Sequence, residues 1–107
     1  MRRYGQLIGL RPEHYDQYVK AHADVWPSVL ATIRACNIRN YSIFHRGGQL
    51  FAYFEYIGDD YDADMERMAA DPETQRWWEW MSPMQRPVDD RAEGEWWASM
   101  EEVFHVD

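Results

Sequence analysis

Cysteine is nearly absent from this chain, because Cys36 is the only one among its 107 residues. A single thiol excludes an intrachain disulfide and any zinc site built from several cysteines. Long apolar runs are also absent, since none approaches the roughly 20 residues that a membrane span needs. The opening Met1-Arg-Arg-Tyr4 lacks the apolar segment of a secretory signal. We therefore expect a cytoplasmic protein.

Basic residues are few as well, 11 against 19 acidic ones, which gives a net charge of −8. This balance argues against binding to nucleic acid or to an anionic membrane by bulk electrostatics. The four histidines share no compact metal-ligand spacing, and no glycine-rich nucleotide loop is present. The chain length suits one domain spanning residues 1–107. We expect no metal site.

Aromatic residues, by contrast, make up 16% of the chain, with six Trp, seven Tyr and four Phe. So many large side chains either crowd the core of a small domain or line a pocket or an interface. Trp77 and Trp78 are adjacent on a predicted helix, where neighbours point about 100° apart, so at most one can face a core. Flat aromatic rings stack on the C–H faces of sugars, which makes a carbohydrate pocket the functional interpretation. Core and dimer packing is the alternative.

Hydrophobic patterning predicts the element order β-α-β-β-α-β of a ferredoxin-like, antiparallel α+β fold. Expected strands cover 3–10, 40–45, 50–57 and 101–106, and expected helices cover 13–22, 27–37, 61–70 and 72–81. The turn Arg46-Gly-Gly-Gln49 suits a tight hairpin, and residues 83–95 form a long loop of the kind that is functional or mobile. In the second helix, Val29, Leu30 and Ile33 are expected to point inward.

Helices of such a fold cover one sheet face, yet the predicted strands are aromatic on both faces. An extensively exposed apolar face is unusual on a monomer. We therefore infer a homodimer in which two sheets pack face to face.

A helix over 13–22 places Tyr18 and His22 on one face, one turn apart. The helix is expected to end after His22, with Asp24 capping the next helix and Pro27 in its first turn. The negative C-terminal end of a helix favours a protonated imidazole, and histidine exchanges protons readily near neutral pH. His22 is thus a candidate general acid or base with a phenol beside it. The alternative is a core tyrosine and a partly buried histidine without a catalytic role.

An ordered set of short motifs resembles the L-rhamnose mutarotase family over nearly the whole chain. The motifs are Tyr18-x-x-x-His22-x-x-Val-Trp26-Pro27, Asn40-Tyr41-Ser-Ile-Phe44, Leu50-Phe-Ala-Tyr53, Gln75-Arg-Trp-Trp78-x-x-Met81 and Glu102-Val-Phe-His105. The resemblance implies a small dimeric α/β barrel. It also implies an isomerase that interconverts the α and β anomers of a 6-deoxy sugar without metal or organic cofactor.

Site residues follow from the same resemblance. His22 matches the family's catalytic proton donor, and Tyr18, Tyr41, Trp77 and Trp78 match positions that bind the sugar. We expect His22 to protonate the ring oxygen, Tyr18 to hydrogen-bond the anomeric region, Tyr41 to orient a ring hydroxyl and the tryptophan pair to stack on the sugar.

The sugar substrate is L-rhamnose on this interpretation, with L-fucose or another 6-deoxy sugar as the alternative. Two other classes of protein stay open: a sugar-binding module without turnover, and a cofactor-free oxygenase or haem-binding protein on the same barrel.

Overall fold

An antiparallel sheet with helices packed on one face builds the protein, as described for all residues 1–107 by a computed structural model. Five strands form the sheet: β1 (Arg2–Leu10), β2 (Ile38–Arg46), β3 (Gln49–Tyr56), β4 (Gln85–Arg86) and β5 (Ala98–Met100). Four helices are present: α1 (Tyr15–His22), α2 (Pro27–Ala35), α3 (Tyr61–Ala70) and α4 (Pro72–Met81). Short 3-10 turns at Pro12–His14 and Ser82–Met84 precede α1 and follow α4.

The strands lie in the order β2-β3-β1-β4, and β5 also pairs with β1. All pairings are antiparallel, and β1 pairs with β3 along the register from Arg2↔Tyr56 to Gly9↔Gln49. This order, with helices crossing between the strands, is that of a ferredoxin-like fold. The predicted fold class is therefore confirmed.

The β2–β3 hairpin forms where the sequence predicts it. Gly47 and Gly48 have φ angles of 57° and 79°, the positive values that a two-residue hairpin turn requires. Further along, the pairing of β2 with β3 is interrupted by a bulge between Arg39 and Ser42. A bulge bends the strand and redirects nearby side chains, and Tyr41 lies within it.

The core lies between the sheet and α1, α2 and α4. Its buried members are Ile8, Leu10, Tyr18, Ala21, Val29, Leu50, Trp77, Met81 and Met84. Burial alternates along β3, so Leu50, Ala52, Phe54 and Tyr56 face the helices while the residues between them are half-buried. The opposite face of the sheet, called the outer face below, has no helix on it.

Aspartate caps begin the last two helices. Asp60 accepts from the backbone N–H of Ala63, and Asp71 accepts from that of Thr74, which satisfies N–H groups that have no partner within the helix. Asp71 is followed by Pro72 at the first helical position, where the missing N–H costs little.

Two expectations for α2 are wrong. Asp24 does not cap it, because Trp26 occupies the N-cap position without a side-chain hydrogen bond and Pro27 begins the helix. Leu30 does not point inward and is exposed, whereas Val29 is buried and Ile33 packs against the core. The helix is rotated so that the apolar stripe starting at Val29 faces the sheet. Asn37, with φ 66°, ends the helix region as predicted.

The predicted strand at 101–106 is also wrong. The strand that pairs with β1 is Ala98–Met100, and its partners are Gly5, Gln6 and Leu7. Residues 101–107 follow without regular structure and are exposed. Alternating apolar residues gave this segment a strand pattern, but a strand exists only where a neighbouring edge accepts its hydrogen bonds. No helix in the structure has the length and apolar character of a membrane span.

Candidate functional site

Tyr18 and His22 lie together on α1, one turn apart. Their rings stack with centroids 4.3 Å apart and planes inclined by 30°, the contact expected for side chains four residues apart on a helix. Tyr18 is buried in the core, whereas His22 is half-buried at the end of the helix. The helix therefore presents the imidazole at the edge of the core.

A single hydrogen bond sets the orientation and tautomer of His22. Its Nδ1 lies 2.9 Å from the backbone carbonyl oxygen of Tyr18. A carbonyl oxygen only accepts hydrogen bonds, so Nδ1 must carry the hydrogen. In the neutral ring the lone pair is then on Nε2. The side chain offers Nε2 as the atom that can take up and return a proton.

Burial lowers the pKa of His22 below the ordinary value of 6.5, and the hydrogen bond to the Tyr18 carbonyl opposes this shift more weakly. Desolvation disfavours the charged imidazolium more than this hydrogen bond favours it. The expectation of a protonated ring is therefore wrong in direction. At neutral pH the ring is mainly neutral and its Nε2 is a base.

Three tryptophans form an apolar wall beside the imidazole. Trp77 meets His22 edge-on at a centroid distance of 5.4 Å and contacts Trp26 in the same manner at 5.2 Å. Trp80 lies 5.4 Å from Trp77 and stacks on Trp26 at 5.8 Å. Such edge-to-face and stacked pairs add to the area buried. The result is a rigid aromatic surface with the histidine at its margin.

The two adjacent tryptophans of α4 point in different directions, as their spacing requires. Trp77 is 6% exposed and belongs to the core, whereas Trp78 is 44% exposed. Trp78 makes no ring contact with Tyr18, His22 or Trp77. The structure thus brings Trp77 to the histidine and leaves Trp78 on the surface of the same helix.

Tyr41 approaches the site from the sheet. Its ring lies 5.5 Å from that of Phe54 on the helix-facing side. Although 42% of the residue is exposed, its hydroxyl lies in a poorly solvated position, and this burial raises the pKa of Tyr41 to about 12. Repulsion by the Tyr18 and Tyr61 phenols adds to the rise in pKa. Tyr41 is therefore a neutral hydroxyl within electrostatic range of Tyr18.

Gln85 is a buried polar residue that the sequence did not single out. It is 7% exposed and lies on β4. Its Nε2 donates to the Tyr18 hydroxyl oxygen at 3.1 Å, and its Oε1 accepts from Trp96 Nε1 at 2.7 Å. These bonds connect the segment after β4 to α1. Gln85 lies within the segment 83–95 that the sequence predicts as a loop, and Trp96 follows that segment directly.

The order of motifs noted in the sequence is matched by known proteins. The profile of the L-rhamnose mutarotase family matches residues 3–106. The L-rhamnose mutarotase of Oceanobacillus iheyensis is 31% identical, with 100% of each chain covered. That of Lactiplantibacillus plantarum is 33% identical, again over 100% of each chain. The chain belongs to the L-rhamnose mutarotase family. The expected family is therefore confirmed.

A solved structure agrees with this assignment at the level of the fold. The crystal structure of an L-rhamnose mutarotase from Formosa agariphila superimposes with a TM-score of 0.78 at 22% identity, covering 100% of both chains. The L-rhamnose mutarotase family consists of isomerases that interconvert sugar anomers, so the predicted enzyme class is confirmed as well.

Other residues of this L-rhamnose mutarotase family member join the site without having been predicted. Trp26 is part of the quoted motif, but no role was assigned to it, and only the fold shows its contact with Trp77.

A separate cavity of about 530 Å³ opens beside the loop 89–96 and includes Trp96. It is lined mainly by charged and small residues and does not contain His22, so we do not place the proton-transfer chemistry there.

Proposed function

We propose that this protein interconverts the α and β anomers of L-rhamnose and that His22 transfers the proton. The observation that carries the proposal is the bond from His22 Nδ1 to the Tyr18 carbonyl, 2.9 Å long. It leaves Nε2 unengaged next to an aromatic wall and a buried phenol. Membership of the L-rhamnose mutarotase family supplies the substrate class.

The reaction opens and recloses the pyranose ring. Nε2 of His22 accepts the proton of the anomeric hydroxyl, and the electron pair of that O–H bond forms the C1=O1 double bond. The C1–O5 bond breaks, and O5 takes up a proton from water or from a second side chain, which recovers that proton on closure. Rotation about C1–C2 exposes the other face of the aldehyde. Closure then reverses each step, so protons and electrons balance and no covalent intermediate with the protein is needed.

The lowered pKa of His22, together with the free Nε2, supports one order for its two roles. The family resemblance implies a protonated ring that donates to O5. A ring that is mainly neutral at neutral pH starts instead as the base at O1, and the imidazolium formed during opening becomes the acid during closure. General acid–base catalysis of this kind contributes about 10²–10⁴-fold.

The remaining side chains hold the sugar. Trp77 and Trp26 present apolar faces and edges against which the C–H groups and the C6 methyl of a 6-deoxy sugar can pack. Trp78 is an exposed ring on the same helix, and we propose that it stacks on the sugar at the rim. Tyr41 carries a neutral hydroxyl that can bond a ring hydroxyl. Holding the reactant in one orientation adds to the acid–base contribution.

Saturation-transfer NMR on the anomeric protons tests this proposal. L-rhamnose and L-fucose, which differ in hydroxyl stereochemistry, are measured with wild-type protein, with His22→Gln and with buffer alone. We expect wild-type protein to accelerate exchange, more for L-rhamnose, and His22→Gln to remove about 10²–10⁴-fold of the acceleration. A preference for L-fucose would change the substrate. Saturable binding without faster exchange would indicate a sugar-binding module.

We also propose that two copies of the chain pair through their outer sheet faces. This face carries Phe44, which is 65% exposed, opposite Phe51 of the neighbouring strand. Leu7 and Tyr53 are further half-buried apolar side chains on that face. An apolar surface of this kind supports an isologous contact.

A cytoplasmic location is consistent with the only thiol, that of Cys36, which is free and buried. We propose that compartment, and cell fractionation with an antibody against the chain tests it. Recovery of the protein with secreted or membrane fractions would contradict it.

A further inference from the structure

The amide of Gln85 has only one orientation that satisfies its neighbours. The indole Nε1–H of Trp96, 2.7 Å away, can only donate a hydrogen bond. The atom of Gln85 that faces it must therefore be the oxygen. The assignment of amide oxygen and nitrogen, which depends on the hydrogen-bond network, is thus determined here by chemistry.

That orientation determines the role of the Tyr18 hydroxyl. The other end of the Gln85 amide is an NH₂ group, which only donates, and it lies 3.1 Å from the Tyr18 oxygen. The phenol oxygen is the acceptor in this bond, so its own hydrogen points away from Gln85. Tyr18 donates to no protein group in the structure, although the residue is 4% exposed. A buried hydroxyl hydrogen without a protein acceptor is available to a ligand.

We propose that Gln85, held by Trp96, is a positioning residue that directs the Tyr18 O–H at a sugar oxygen beside His22. The inference rests on the proposed function of the site and identifies the Tyr18 hydroxyl as the group that donates a hydrogen bond to the ring oxygen O5. As His22 removes the anomeric proton and the C1–O5 bond breaks, O5 gains electron density. A hydrogen bond from a fixed donor stabilises that charge most when it is fully formed.

The arrangement explains why a base and a donor lie side by side. O1 and O5 are bonded to the same carbon, so ring opening needs one acceptor and one donor within the span of a single acetal carbon. His22 Nε2 is the acceptor, and its ring stacks on that of Tyr18 at 4.3 Å. Without Gln85 the phenol hydrogen could rotate to either side, and part of its population would point away from the sugar.

The substitution Gln85→Glu reverses the relay while keeping its shape. A carboxylate only accepts hydrogen bonds, so it can accept from both Trp96 and Tyr18, and the Tyr18 hydrogen is then lost to the sugar. Gln85→Met removes the polar interaction at similar volume. Gln17→Glu, on the exposed side of α1 next to Tyr18, adds the same charge outside the relay. Each variant is checked for folding by circular dichroism and thermal melting.

Anomer exchange of L-rhamnose is then measured for all variants as kcat and KM. We expect Gln85→Glu to lower kcat about 10-fold or more, the loss of one hydrogen bond to a charged centre, while Gln17→Glu keeps the wild-type rate. Protonation of the introduced carboxylate restores a donor toward Tyr18. The ratio of Gln85→Glu activity to wild-type activity should therefore rise as the pH falls, which a purely structural defect would not produce.

Trp96→Phe is a second variant that does not place a charge in the core. It removes the donor that fixes the amide, so kcat should fall. Trp97→Phe removes an indole of the same segment that packs against the core and does not bond Gln85, so it should keep the wild-type kcat. Wild-type kcat in both Gln85→Glu and Trp96→Phe would overturn the relay but leave the proposed function intact. An equal loss in Gln85→Glu and Gln85→Met with no pH dependence of the ratio would also overturn it. Absence of wild-type acceleration would refute the proposed function and the relay together.

Discussion

The backbone carbonyl of Tyr18 accepts a hydrogen bond from Nδ1 of His22 across one turn of α1, at 2.9 Å. The last turn of the helix thereby holds the imidazole in one tautomer. Since the same ring is desolvated, its pKa lies below 6.5. Geometry and burial together support the proposal that His22 acts as a neutral base through Nε2, and the pH dependence of the rate tests it.

The enzymatic rate of anomer exchange should rise with pH and then level. A base acts only in its neutral form, so activity is lost as the pH falls through the pKa of His22 and is fully present above it. The midpoint should lie below 6.5 because burial lowers the pKa. Exchange is measured by saturation-transfer NMR between pH 5 and 8, with the buffer rate subtracted at each pH. His22→Gln serves as the control and should show no such midpoint.

The opposite profile would identify the opposite role. If the imidazolium were the active form, the rate would be highest at low pH and would decline as the ring loses its proton. A rate that falls with rising pH therefore contradicts the base assignment, but it would still support His22 as the group that transfers the proton. A profile identical in wild type and His22→Gln would remove the residue from the mechanism.

Substituting Trp77 and Trp78 one at a time should separate the effect on stability from the effect on sugar binding. Trp77 is buried in the core, so Trp77→Ala should lower the free energy of unfolding by about 3–5 kcal/mol. Trp78 is on the surface, and Trp78→Ala should change stability by less than about 0.5 kcal/mol while raising KM for the sugar. Urea unfolding and exchange kinetics measure the two effects. An unchanged KM in Trp78→Ala would exclude Trp78 from the sugar site.

Local sequence signals predicted most of the secondary structure. The caps at Asp60 and Asp71 and the glycine pair at 47–48 are formed by short-range chemistry, which a sequence displays directly. The last strand could not be found in this manner, because the edge of β1 can pair with either of two neighbouring segments of similar pattern. Which segment it selects depends on the path of the preceding loop, a tertiary property.

The site was predictable in part for the same reason. Tyr18 and His22 are close in sequence and on one helix, so their contact follows from helical spacing alone. Gln85 lies 67 residues from Tyr18 in the chain, and nothing in its local sequence indicates the contact. The pKa of His22 was misjudged because the helix end is visible in the sequence whereas the burial that outweighs it is not.

The junction of β3, α2 and α3 is held by a polar cluster that a single methyl group should disturb. The Tyr56 hydroxyl donates to Asp64 at 2.5 Å, and the Asn37 amide donates to the same carboxylate oxygen. These bonds, led by that from Tyr56, lower the pKa of Asp64. A Cβ at Gly58 would lie 2.4 Å from the Tyr56 hydroxyl oxygen, so the buried tyrosine has to shift.

We expect Gly58→Ala to lower the free energy of unfolding by about 1–3 kcal/mol, the usual cost of overpacking. Tyr56→Phe removes the nearest atom that the new methyl would meet and leaves the ring carbon Cζ, 2.6 Å from that Cβ. Part of the overlap is therefore relieved, and the double variant should be less destabilised than the sum of the two single variants. Denaturant unfolding of the four proteins measures this coupling. Strictly additive effects would show that the methyl group acts elsewhere than on the hydroxyl of Tyr56.

Phe44 provides the most direct test of pairing through the outer face. It projects from β2 on the side without helices, next to Phe51, and is 65% exposed. Leu30 is a comparably exposed apolar residue on α2, away from that face.

In analytical ultracentrifugation we expect wild type and Leu30→Glu to sediment as dimers and Phe44→Glu to sediment as a monomer. Only Phe44→Glu would bury two unpaired carboxylates at the interface. Since Phe44 points away from His22, monomeric Phe44→Glu should keep the pH profile of the wild type. A wild-type protein that stays monomeric at high concentration would contradict the pairing, and dissociation of Leu30→Glu as well would move the interface to the helical side.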